Sequence, residues 1–132
     1  MNEIITYYSK NSPNKFVMKE YTIKYSEENR SCSDTIEVYL KIIDNKIIDW
    51  SFEWITSIIT TATASIFWES IIWMSLEEVL KKDYSYIIEL IWEEVSPRRQ
   101  KSAVFWLIAT KNAIHKYLND WKTEDILSAL NC

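Results

Sequence analysis

A chain of 132 residues, 48% hydrophobic and 26% charged, has the make-up of one globular domain with its own core. The net charge of −4 argues against a general nucleic-acid binder, which needs a basic face to displace counterions. No apolar run reaches the ~18 residues of a membrane span, and Met1 to Lys15 lacks the basic-then-apolar order of a signal peptide, so a cytoplasmic protein off the membrane is expected.

In chain order, Ile4, Ile5, Tyr7 and Tyr8 suit a short helix docked on the body, and Ser12-Pro13-Asn14 reads as a turn. Tyr21 to Tyr25 alternates as a strand does, and Glu27 to Ser33 reads as a polar loop carrying Cys32. In Thr35 to Ile43, Ile36, Val38, Leu40 and Ile42 share one face, with Thr35, Glu37, Tyr39 and Lys41 on the other, as in a half-buried antiparallel strand. Asp44-Asn45 both tolerate the left-handed conformation and make a tight hairpin turn. The return strand, Lys46 to Glu53, is expected to put Ile48, Trp50 and Phe52 on one face.

The period then changes. Ser57 to Ile72 is expected as a helix with small residues (Ala62, Ala64, Ser65) at its centre, letting it sit close to a sheet. Ser75-Leu76-Glu77-Glu78 is a capping box opening a short helix to about Lys82. A third helix spans Tyr84 to about Ile91. Ser96-Pro97 opens a last long helix ending near Asn119, with the stripe Ala103, Leu107, Ile114, Leu118 and with Val104 and Ile108 beside it. Thr123-Glu124-Asp125 is a candidate helix start. Strands before helices predict an α+β domain: a three-stranded antiparallel sheet, about 20–54, packed on one face by helices, about 57–119. The basic cluster Arg98, Arg99 and Lys101 reads as a solvated helix start.

Candidate chemistry is sparse. The two cysteines, Cys32 and Cys132, do not make a disulfide framework, and His115 is the single histidine, so a zinc site of Cys and His alone is poorly supplied. His115 reads as a surface or half-buried helix residue and Cys132 as a frayed terminus.

The segments CSDTIEVYLKIIDNKIIDWSFEW, TATAS, SLEEVL and RRQKSAVFWLIATKNAIHKYL, in this order and spacing over Tyr7 to Leu118, resemble the IscU/NifU N-terminal family of iron–sulfur cluster assembly scaffolds. The resemblance implies a scaffold or sulfur acceptor rather than an enzyme. Its partners would be a cysteine desulfurase and cluster-recipient proteins, and its cargo a transient iron–sulfur cluster. The family uses three cysteines and an aspartate. Cys32 and Asp34, in Cys32-Ser33-Asp34, match the first cysteine and the aspartate; Ser57 and Ser102 stand where the other two thiols belong. A two-iron cluster takes four ligands, mostly thiolates, and a serine hydroxyl holds its proton too firmly to replace one. Two routes would supply more thiols: a homodimer pooling two Cys32 side chains, or Cys132 swinging in. The alternatives are a cluster-free interaction module of the same fold, and a zinc-dependent sulfur-transfer protein using the same ligand positions.

One compositional feature stands apart. There is no glycine, where ordinary usage implies about nine, and there are seven tryptophans, at positions 50, 54, 68, 73, 92, 106 and 121. Trp54 and Trp73 occupy places where the family carries glycine, and Trp73, Trp92 and Trp121 fall where helices are expected to end. Two readings follow: a Trp-rich chain, or a gene whose UGA codons mean glycine in its own cell and tryptophan in another code. Neither restores the thiols at Ser57 and Ser102.

Overall fold

The computed structural model describes residues 3–29, 34–55, 58–83, 85–87 and 97–124, with the backbone alone at 29, 34 and 97–102. The elements are α1 (Glu3–Lys10), β1 (Ile23–Asn29), β2 (Asp34–Ile43), β3 (Lys46–Glu53), α2 (Ile58–Ile71), α3 (Leu76–Leu80) and α4 (Pro97–Leu118). Residues 85–87 are also helical. Among the described residues no helix is long and apolar enough to cross a membrane.

The strands form one antiparallel sheet in the order β1-β2-β3, as α+β patterning predicts. Asp44 and Asn45 turn the hairpin with φ of 52° and 61°, both in the left-handed region that their short polar side chains tolerate. Ile36, Val38 and Leu40 are fully buried, and Ile23 and Tyr25 of β1 pack against the same core. The reading of β3 needs a correction. Ile47, not Ile48, joins Trp50 and Phe52 in the core, because the register shifts between Lys41 and Ile42 so that Ile42 faces Ile47. A bulge inserts one residue and reverses the inward phase on one side of it. β1 also runs on through Glu27 to Asn29, which sequence patterning placed in a loop; pairing with β2 down to Asp34 overrides the polar composition.

The helices cover the core face. α2 buries Ala62 and Ala64 fully, together with Thr60, Thr61, Thr63 and Ser65. Two of these hydroxyls are tolerated inside because they bond back to the helix: Thr63 donates to the Ile59 carbonyl at 2.9 Å and Ser65 to the Thr61 carbonyl at 2.8 Å. The capping box at Ser75 is complete, with Ser75 Oγ accepting from the Glu78 amide and Glu78 Oε1 from the Ser75 amide. In α4 the burial is wider than a stripe: Ala103 to Ala109 are all buried, Phe105 and Trp106 included. Leu118, expected on that stripe, is 42% exposed, since the helix ends there and runs past the core. Residues 121–124 are not in a helix, and the remainder of the helix expected to start at Thr123-Glu124-Asp125 lies outside the described residues. The third expected helix is described only at 85–87; its remainder, like Trp92 and the Ser96 cap, lies outside the described residues.

Candidate functional site

The positions marked by the resemblance come from three places in the fold. Asp34 opens β2, its backbone paired with Asn29. Glu37 pairs with Glu53, the last residue of β3, so Asp34, three residues before Glu37, lies at the end of the sheet where β3 runs out. There the chain turns at Trp54 (φ 74°) and buries Ile55, whose carbonyl accepts from Lys15 Nζ at 3.0 Å. Three residues later α2 begins, at Ile58. The β1–β2 loop and the β3–α2 connection therefore leave the sheet at the same end.

The third position lies on α4, which packs against both the sheet and α2. Thr110 sits over β3, accepting from the buried Trp50 indole N–H at 2.9 Å while donating to the Trp106 carbonyl at 2.7 Å. Further along, Asn112 and Lys116 reach β1 at Glu27 and at the Lys24 carbonyl. In the other direction α4 packs on α2, where the Ala103 carbonyl accepts from Thr63 Oγ1 at 3.2 Å. Position 102 is thus one residue from the α2–α4 contact at Thr63. Cys32, Ser57 and Cys132 lie outside the described residues, and for Asp34 and Ser102 the backbone alone is placed. Among the described residues no three His, Cys, Asp or Glu side chains are grouped so as to hold a metal ion.

Two polar clusters went unforeseen. On the outer face of the sheet, Glu37 and Tyr39 are buried although strand alternation assigns them to the open side. Tyr39 donates to Glu37 Oε1 at 2.6 Å and Ser26 donates to Oε2 at 2.8 Å, while Tyr21 packs edge-on against Tyr39. Burial, and then the bonded carboxylate, push the Tyr39 hydroxyl up to about 12. Burial acts to raise the Glu37 carboxyl too, but the two hydroxyl donors and the Lys24 charge outweigh it and hold it below its ordinary value.

The second cluster corrects the reading of His115. It is only 6% exposed, held between Asp120 (Nδ1 to Oδ2, 2.8 Å) and Glu124 (Nε2 to Oε2, 2.8 Å). Glu124 also pairs with Lys111 at 3.4 Å, its amide donates to Asn112 Oδ1 at 2.7 Å, and its carbonyl accepts from Asn112 Nδ2 at 3.1 Å. Together these contacts fold residues 119–124 back onto α4. Spacing along α4 hinted at the helix side of this cluster, since 111, 112 and 115 lie within about one turn. Nothing in the sequence pointed to its partners beyond the helix end.

Residues 2–124 match the NifU-like N-terminal domain family. The iron–sulfur cluster assembly scaffold protein IscU of Thermotoga maritima is 32% identical over 78 residues, which are 59% of this chain and 55% of that protein; the chain thus spans about half the length of this relative. Two crystal structures share the fold. One is a putative iron–sulfur cluster assembly scaffold protein for the SUF system from Fervidobacterium islandicum (TM-score 0.74, 22% identity, covering 86% of this chain and 96% of that one). The other is the N-terminal part of a nitrogen-fixing NifU-like protein from Brucella abortus (TM-score 0.71, 16% identity, 92% and 95% covered). With the family match running from the first helix to Glu124, the chain belongs to the NifU-like N-terminal domain family, of the IscU/NifU scaffold type that its segments resemble.

Proposed function

We propose that this chain serves iron–sulfur cluster assembly in the cytoplasm, with Cys32 accepting sulfur and Asp34 offering an oxygen ligand to iron. The observation that carries this reading is the family match across 2–124, which includes the Cys32-Ser33-Asp34 motif. The transfer is thiol–disulfide chemistry. The Cys32 thiolate attacks the outer sulfur of a cysteine persulfide on a desulfurase. The sulfur–sulfur bond breaks, the partner's thiolate leaves, and Cys32 becomes the persulfide with no net redox change. Asp34 would hold iron beside it, and an oxygen ligand among sulfurs keeps the metal exchangeable.

The cluster is cargo, and the donor set limits how one chain could carry it. The four matched positions supply one thiol, one carboxylate and two hydroxyls (Cys32, Asp34, Ser57, Ser102), whereas a two-iron cluster takes four mostly thiolate ligands. A cluster would therefore be shared between two copies of the chain or passed on at once to a recipient protein. The same two serines support a second reading, a cluster-free interaction module that keeps the fold for its contacts.

Anaerobic reconstitution with iron and sulfide, with metal and sulfide counted per chain, separates the two. Bound iron and sulfide that disappear in Cys32→Ala match the first reading. No binding in either protein, with unchanged capture of the desulfurase by Cys32→Ala, rejects it in favour of the module.

A further inference from the structure

We propose that the native chain carries glycine, not tryptophan, at positions 54, 73 and 121. Among the described residues six have positive φ: Asp44, Asn45, Trp54, Trp73, Asn119 and Trp121. Three of these are ordinary. Asp44 and Asn45 form the hairpin turn. Asn119 closes α4 in a Schellman arrangement, its amide donating to the Lys116 carbonyl at 3.2 Å and the Asp120 amide to the His115 carbonyl at 3.4 Å. The other three are all tryptophan, at φ of 74°, 72° and 63°. Asp and Asn visit this region routinely, while a bulky side chain there is a genuine outlier, because its Cβ crowds the following carbonyl.

At residue 73 the fold requires the left-handed turn. There α2 has just ended, and the chain must swing back so that the Trp73 amide donates to the Ile47 carbonyl and the Ile47 amide to the Met74 carbonyl at 3.0 Å. Residue 54 turns the chain from β3 toward the segment holding Ser57, and residue 121 directs the tail back to α4. In none of the three does the indole supply a packing reason for its presence: Trp54 is 58%, Trp73 69% and Trp121 90% exposed. Trp50 is the contrast, fully buried, bonded to Thr110 and stacked near Phe52 and Trp106. The structure thus sets Trp50, which packs and bonds as a tryptophan, apart from Trp54, Trp73 and Trp121, which stand where glycine is the natural residue.

A chain with no glycine at all meets a set of turns that call for it. The codon UGA connects the two facts, since some genetic codes read it as glycine and others as tryptophan. Under the glycine reading, the turn that leads from β3 toward Ser57 has no Cβ, and no indole stands over it.

Peptide mass mapping of the protein isolated from its own cell, together with the codons of its gene at the three positions, tests this. Glycine masses at all three, encoded by UGA, are expected. A tryptophan mass at any of the three, or a UGG codon there, overturns the proposal. Neither readout involves Cys32, so this result is independent of the reconstitution.

Discussion

Substitution at position 73 measures how strongly the fold demands a left-handed residue. Trp73 has φ 72° and its side chain is mostly in solvent, while its amide is tied to Ile47 at 2.6 Å. Trp73→Ala and Trp73→Gly lose the same indole contacts, so comparing them cancels that loss. The alanine variant keeps a Cβ in a conformation costing about 1–2 kcal/mol for an L-residue. The glycine variant is free of that cost but loses about 0.5–1 kcal/mol through its more flexible unfolded chain. The net expectation is that Trp73→Gly is more stable than Trp73→Ala by roughly 0.5–1 kcal/mol. With a urea dependence of about 1–3 kcal/mol per molar, the midpoints should differ by roughly 0.2–1 M. The same pair at Trp106, inside α4, should reverse the order, alanine being favoured by about 1 kcal/mol in a helix interior. If Trp73→Gly is no more stable than Trp73→Ala, the turn after α2 does not require the left-handed region and the reasoning fails.

Thr110→Val leaves the buried Trp50 indole N–H without its acceptor and should lower stability by about 1–3 kcal/mol in urea; an unchanged midpoint would show that the bond contributes nothing. Tyr39 is raised in the folded state, so its contribution is fully present below its ordinary value of 10.0 and is lost as pH rises toward about 12. Tyr39→Phe should remove that alkaline limb from a stability-against-pH curve, and a limb of equal size in the variant would contradict the assignment. Asp120 is held low first by its hydrogen bond with His115. Burial works to raise Glu124, but the bond with His115 and the Lys111 charge hold it low as well. Depressed carboxyls contribute above their ordinary values of 3.8 and 4.5, and that contribution is lost as pH falls through their lowered folded values. The protection factor of the Glu124 amide, which is bonded to Asn112, should therefore fall in acid once the intrinsic pH dependence of exchange is divided out, and His115→Gln should lower it at neutral pH as well. Equal protection in the variant would show that the histidine does not hold the tail.

Much of the fold was legible because its signals are local. The alternation of Ile36, Val38 and Leu40, the Asp44-Asn45 turn and the capping box at Ser75 each rest on neighbours a few residues apart, and each stands as read. The family was legible too, because its segments keep their order and spacing. What failed depended on a partner far along the chain. Ile47 displaces Ile48 because β2 and β3 slip register at Lys41 and Ile42. Glu37 and Tyr39 are buried because Ser26 and Tyr21 come from elsewhere to meet them.

The candidate site divides in the same way. Composition and motif alone supply the donors of the proposed site: one cysteine and one aspartate at the positions the resemblance marks, and serines at the other two. The sequence also raised the question of its tryptophans, but propensity could not say which of them sit in glycine's conformation. The tertiary structure decided that, because φ at 54, 73 and 121 is set by where the chain must go next: toward α2, back along β3, and onto α4. It likewise decided that His115 is buried between two carboxylates, since a side chain's surroundings are fixed by the packing of distant segments and not by the residues beside it.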